Sequence, residues 1–210
     1  NLVILESTSP PGTTDDVVAP IVSESGLTLG VDLFVAHAPE RVLPGHILRE
    51  AVENDRIIGG IDPQSTKAAT EFYSTFVGGH IFCTDARTAE LAKLTENAFR
   101  DVNIAFANEL SLLCHKLDIN VWELIELANR HPRVNILRPG PGVGGHCIAV
   151  DPWFIVHSAP EITGLMATAR HVNDAKPDFV IKKVIQHAAK LRNPVIACLG
   201  VAYKADIDDL

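Results

Sequence analysis

The chain has 210 residues, 47% hydrophobic and 21% charged, with a formal net charge of −8. That is room for one large domain or two small ones of ordinary globular composition. The acidic balance argues against a nucleic-acid surface, which needs clustered Lys and Arg. It leaves room for a phosphorylated small molecule held by a few local cations.

Cys83, Cys114, Cys147 and Cys198 are widely spaced and form no C-x-x-C pair, so neither a zinc knuckle nor a disulfide framework is expected. Reduced thiols in a cytoplasmic protein are the simplest reading. No apolar run approaches the roughly 20 residues that span a bilayer, and no signal-peptide pattern is seen. The chain opens at Asn1 on strand-like residues and closes on Asp208-Asp209-Leu210 just after another such run. It is therefore expected to be a portion of a longer protein.

In chain order, Leu2–Leu5 reads as a short buried strand, followed by a turn at Ser9–Gly12. Thr13–Val22 is a predicted helix with Asp15 and Asp16 in its first turn, where the dipole favours anions. Leu33–Ala36 and Arg56–Gly60 are predicted strands, Pro63–Phe76 a helix with Pro63 suited to its first position, and Ile81–Cys83 an edge strand. This alternation points to part of a mostly parallel, doubly wound sheet. The pattern then turns helical. Thr84 or Asp85 caps a helix running through Leu117 without Gly or Pro, roughly 45–50 Å long. Leu91, Leu94, Ala98, Val102, Ala105 and Leu112 form its apolar stripe. A second helix starts at Asn120, with Glu123 at the capping-box spacing, and stops before Pro132. A Gly/Pro-rich loop covers 139–145. Helices are expected at Ile162–Asn173 and Pro177–Leu191, and a fresh strand at Pro194–Gly200. No internal repeat or low-complexity tract is seen.

The densest chemical signal is GPGVGGHCIAVDP over 140–152. Its four glycines let backbone amides approach an anion or a sugar closely. Cys147 follows two of them, and Asp151 lies one helical turn further on. A thiol near a cation, backbone donors or a helix N-terminus becomes a nucleophile; otherwise it is a small buried filler. Lys93, Asn97 and Arg100 share one helix face. They form either a clamp for an oxyanion and a phosphate, or a solvated face with a Lys93–Glu90 or Arg100–Glu96 pair. His37–Gly45 follows a predicted strand, at the end where doubly wound folds bind ligands; Glu40 there is a base, a sugar contact or one half of a loop ion pair. Glu6-Ser7-Thr8 ends the first strand in the same way and either touches a cofactor or caps the next helix. The nine histidines show no metal-ligand spacing. No G-x-G-x-x-G is present, so this stretch carries no dinucleotide phosphate loop of its own.

Five stretches occur together and in order: ESTSPPGTT (6–14), APER (38–41), AELAKLTEN (89–97), GGHC (144–147) through Asp151, and GVAYK (200–204). With them the chain resembles the UDP-glucose/GDP-mannose dehydrogenase family along essentially its whole length. The resemblance implies an α/β plus all-α organisation. The second half of a Rossmann-like NAD domain would occupy 1–84, and a helical central domain for dimerisation and catalysis 85–192. A truncated UDP-binding Rossmann-like domain would begin at 193–210. It implies NAD as cofactor and four-electron oxidation of the C6 alcohol of a UDP-sugar to the uronic acid through a thioester, in a homodimer joined by the long helix. No metal, membrane or nucleic acid is implied. By matching position, Cys147 is the nucleophile, Lys93 and Asn97 its polar partners, and Asp151 assists water or proton transfer. Thr8 and Glu40 face cofactor and sugar. Arg41, Val42, Arg100, Asn103, His131, Arg133 and Gly145 are implied substrate contacts, with His131 and Arg133 reaching across a dimer. Pro44 departs from a second Glu found in members acting on UDP-glucose. Two other readings stand beside this one: a single-step, two-electron dehydrogenase with a Rossmann domain and long-helix domain, and a dimerisation core that is inactive when isolated.

Overall fold

A computed structural model describes residues 1–42 and 47–200. The chain divides into two compact units, Asn1–Glu96 and Asn97 onward. The Pro44 and Gly45 positions, and 201–204 of the last motif, lie outside the described residues.

The first unit is a four-stranded sheet with helices threaded between its strands. β1 (Leu2–Leu5) and β2 (Phe34–His37) run parallel, Leu2 opposite Phe34. β3 (Arg56–Gly60) is antiparallel to β2 and parallel to β4 (Ile81–Asp85). A parallel pair needs a crossover, and helices supply both. A wide helical turn at Thr14–Val18 leads into α1 (Ala19–Ser23) between β1 and β2. α3 (Pro63–Tyr73) links β3 to β4. A short α2 (Ile47–Glu53), which periodicity did not suggest, precedes β3. Asp62 caps α3 by accepting from the Ser65 N–H at 2.7 Å, with Pro63 in the first turn as expected. The core is Ala36, Ala38, Ile58, Ala69 and Tyr73, with Leu2, Ile4, Val77 and Ile81 packed around them. Small residues on the strands bring α3 close to the sheet.

α4 (Ala86–Leu117) has 32 residues and starts where the sequence places it. The Asp85 carboxylate accepts from the Thr88 N–H at 2.9 Å and its hydroxyl at 2.7 Å. The backbone bond is the main reason this carboxyl titrates below its usual range. Of the expected stripe, Leu94, Ala98 and Ala105 are buried, whereas Leu91 is exposed.

In the second unit, α4 ends with Asp118 in the left-handed region and the Ile119 N–H bonded to the Cys114 carbonyl. Asn120 caps α5 (Val121–Ala128) through the Trp122 and Glu123 amides. The Asn129 side chain then closes the following loop, donating to Ile136 O and accepting from Ile136 N. α6 (Asp151–Ser158) and α7 (Gly164–Ala188) complete the unit.

α6 falls on residues to which periodicity assigns no element; Pro152 sits in its first turn, where a missing N–H costs nothing. Two expectations need correction. Ile162–Asn173 and Pro177–Leu191 are one helix, with Pro177 inside it. Pro194–Gly200 forms no strand: a strand exists through bonds to a neighbour, and none of the described residues pairs with it. Val195 and Leu199 stand in solvent. No described helix is long and apolar enough to cross a membrane.

Candidate active site

The glycine loop delivers Cys147 to the head of α6. The Cys147 carbonyl accepts from the Val150 N–H at 3.0 Å and from the Asp151 N–H at 2.8 Å, so the thiol-bearing residue begins the turn that becomes the helix. Its thiol is free and exposed, unlike the buried Cys114, which is the small core filler. Gly145 takes φ +80°, a conformation that a side chain resists. At Gly142 a Cβ would lie 2.9 Å from Pro177 Cγ, so the loop passes hard against α7 there.

Asp151, in the first turn of α6, is buried and accepts from Asn97 Nδ2 at 2.6 Å. Asn97 is buried as well. Of the four predicted catalytic residues, Asn97 and Asp151 thus meet through their side chains, and Cys147 is tied to Asp151 through the backbone. Asn97 keeps a second N–H and its oxygen for other bonds. Lys93 lies one turn before Asn97 on α4 and is half-buried; Arg100, one turn after, is exposed. Neither the Lys93–Glu90 nor the Arg100–Glu96 pair forms, because Glu90 and Glu96 are engaged elsewhere. Glu96 meets Arg41 at 2.7 Å. Asn103 spends its amide on Phe99 O, at 2.7 Å on its own helix.

Glu90 is the residue that sequence reasoning missed. It is 1% exposed and accepts three bonds: from Gly12 N at 2.5 Å, Thr14 N at 2.8 Å and Thr14 Oγ1 at 2.6 Å. Arg87, one turn earlier, binds Asp15 at 2.8 Å and Asp16 at 2.7 Å. α4 therefore fixes the loop carrying Thr8 and the helical turn after it.

That loop lies at the carboxyl end of β1, beside the segment after β2; Glu40 N donates to Glu6 O at 3.3 Å. Glu40 accepts from Arg41 N at 2.6 Å and pairs with Arg56 at 3.2 Å, so it is one half of an ion pair in this loop. Arg41 also reaches Asp55 O at 2.7 Å, and Val42 beside it is half-buried. Arg56 in turn lies over the Tyr73 ring, whose hydroxyl donates to Glu6. The Ser9 hydroxyl is buried without a partner among the described residues, as is the His37 ring. Burial lowers His37 to about 4. Thr8 is half-buried just beyond the carboxyl end of β1, the edge at which doubly wound folds bind their ligands.

In the second unit, His131 and Arg133 occupy the loop that Asn129 closes, with Arg133 N donating to His131 Nδ1 at 3.3 Å. They are exposed beside an open groove lined by Trp122, Asn129, Arg130 and Arg138.

Comparison with known proteins gives these residues a common setting. Residues 1–77 match the UDP-glucose/GDP-mannose dehydrogenase family, NAD binding domain, and residues 87–175 match the central domain of the same family.

The chain belongs to the UDP-glucose/GDP-mannose dehydrogenase family.

Within it, the chain is 63% identical over 218 residues to an NDP-N-acetyl-D-galactosaminuronic acid dehydrogenase of Ralstonia solanacearum, covering all of this chain and 51% of the relative. It is 60% identical to a UDP-N-acetyl-D-mannosamine dehydrogenase of Campylobacter jejuni, covering all of this chain and 53% of that one. Among solved structures, a UDP-N-acetyl-mannosamine dehydrogenase, Cap5O, from S. aureus matches with a TM-score of 0.91 at 51% identity, over all of this chain and 50% of that protein. The chain spans about half the length of the curated relatives it matches.

Proposed function

We propose that the protein containing this chain oxidises the C6 alcohol of a UDP-sugar to a carboxylate, with Cys147 as covalent carrier and UDP-N-acetyl-D-mannosamine as substrate. One observation carries the reading. An exposed thiol opens α6, and the buried Asn97–Asp151 pair is anchored in the first turn of the same helix. A structural cysteine needs neither the glycine approach nor the buried polar pair. The family and the names of relatives at 60% and 51% identity favour the substrate. The Ralstonia protein, whose name also specifies an N-acetylhexosamine, makes UDP-N-acetyl-D-galactosamine the nearest competitor.

NAD, when bound, accepts the hydride leaving carbon at each of two oxidations. The chain does the rest. Once the alcohol has become an aldehyde, the Cys147 sulfur adds to its carbon. A C–S bond forms, the carbonyl electron pair moves to oxygen, and the thiol proton passes to a base. Asp151 holds that proton, directly or through water. Asn97, with its spare N–H, and Lys93 stabilise the alkoxide. The second oxidation leaves a thioester. Water adds to it, the C–S bond breaks, and the thiol and carboxylate are released. Two NAD are reduced per acid, and the aldehyde stays tethered between steps. Thr8 and Glu40 border the cofactor, while Arg41, Val42, Arg100, Asn103, His131, Arg133 and Gly145 contact the sugar nucleotide.

The active protein is a homodimer through α4. Phe99, Phe106 and Leu113 recur every seven residues there and are 68%, 57% and 48% exposed, a stripe that a second copy would cover.

The test uses the longer protein with both nucleotide sites. UDP-N-acetyl-D-mannosamine is expected to give two NADH per acid, and Cys147→Ser to form no acid. Full acid production by that variant rejects the thioester route. A single NADH per product points to a two-electron dehydrogenase. Higher kcat/KM on UDP-N-acetyl-D-galactosamine reassigns the sugar.

A further inference from the structure

Five polar side chains are buried between the second half of α4 and α7: Asp101, Asn108, Arg170, Asn173 and Lys176. They form one chain of bonds. Arg170 Nη1 donates to Asp101 Oδ1 at 2.6 Å, and its other arm reaches Asp174. Asn173 Nδ2 donates to Asp101 Oδ1 at 2.7 Å and to its carbonyl at 3.1 Å. Asn108 Nδ2 donates to Asn173 Oδ1 at 2.8 Å. Lys176 bonds the Asn108 carbonyl at 3.4 Å and the Ser111 hydroxyl.

Such a cluster is an expensive way to join two helices. Burial raises the Asp101 carboxyl above its usual range, against the pull of Asn173 and Arg170, and it lowers Lys176. Asp101 Oδ2 and Arg170 Nε have no partner among the described residues. Apolar side chains of similar volume would hold the helices at least as well. What they would not do is grip the loop. Asn108 Oδ1 accepts from Gly140 N at 2.9 Å, and Arg170 Nη1 donates to Ile148 O at 3.4 Å. Those two backbone atoms bracket the glycine-rich stretch, and Ile148 is the residue next to Cys147. A glycine loop loses more freedom on ordering than any other sequence, so it needs ties from outside itself.

We infer that Arg170, oriented by Asp101, is a positioning residue that fixes where the Cys147 thiol stands, with Asn173 and Asn108 holding the other end of the loop. The inference rests on Cys147 being the nucleophile. A thiol misplaced by about 1 Å lowers capture of the aldehyde by about 10²-fold, while the sugar nucleotide still binds.

The test makes the paired replacement Asp101→Leu with Arg170→Met in the longer protein, and Arg170→Lys alone. The apolar pair is expected to keep the thermal midpoint while kcat falls about 10²-fold with KM within about threefold. More product should be caught as an oxime when hydroxylamine is present. Wild-type kcat in the apolar pair overturns the inference. Should that pair fail to fold, Arg170→Lys decides: it keeps the buried cation but not the fork, so the same kcat loss is expected and an unchanged kcat refutes. Cys147→Ser runs alongside. Acid made by that variant removes the nucleophile reading itself; an inactive Cys147→Ser beside normal Arg170 variants removes only the positioning role.

Discussion

Glu90→Gln is the sharpest test of how α4 holds the loop after β1. The carboxylate takes Gly12 N on one oxygen and both Thr14 donors on the other. An amide keeps one oxygen. If it stays on Thr14, the NH2 group faces the Gly12 N–H, donor against donor. Stranding a buried N–H costs about 1–3 kcal/mol, and the two remaining bonds lose their charge assistance at about 1 kcal/mol each. The cheaper burial of a neutral amide offsets part of this, leaving about 3 kcal/mol. Both tryptophans, Trp122 and Trp153, lie in the other unit, so tryptophan fluorescence would not report the change. Hydrogen exchange of a peptide covering 9–24 would. A loss of about 3 kcal/mol lowers its protection about 10²-fold. Glu53→Gln, an exposed residue in an i,i+4 pair with Arg49, is the control and should stay within about 0.5 kcal/mol of wild type. Protection in Glu90→Gln within about threefold of wild type would refute the reasoning.

His37 is buried, with a folded pKa of about 4 against 6.5 when unfolded. The unfolded chain takes the proton first, so stability is full above 6.5 and declines as pH falls toward 4, by about 3 kcal/mol. His37→Gln should flatten that window in urea titrations at stepped pH; an unchanged slope contradicts it. Lys93→Ala in the longer protein should lower kcat by about 10² if its ammonium meets the alkoxide; near-normal turnover leaves Lys93 as a surface residue. Phe106→Glu should convert the proposed homodimer to monomer in sedimentation, and a dimer that persists moves the interface off this stripe.

The parts legible in the sequence were those governed by local chemistry. Asp85 and Asn120 announce their helices because a cap is a bond within three residues. Strand and helix alternation through 1–83 follows from periodicity. Cys147, Asn97 and Asp151 stand out as candidates because motifs carry them. Long-range facts were not legible. Asp101 and Arg170 lie 69 residues apart, and nothing in either neighbourhood says they meet. Asn97, Asp101 and Asn108 do fall on one face of α4, but a polar stripe usually means solvent. Glu90 looked like a partner for Lys93 because i,i+3 spacing is visible and Thr14 is not. Pro177 looked like a break, since it removes one helical bond. The helix continues through it, with Gly142 packed against its ring.

The proposed function turns on a bond between Cys147 and the sugar. The direct measurement is rapid-quench mass spectrometry of the longer protein turning over UDP-N-acetyl-D-mannosamine. A uronyl adduct on the peptide holding Cys147, rising before acid appears and absent from Cys83, Cys114 and Cys198, is the expected result. Acid accumulating at the normal rate with that peptide unmodified throughout would contradict it.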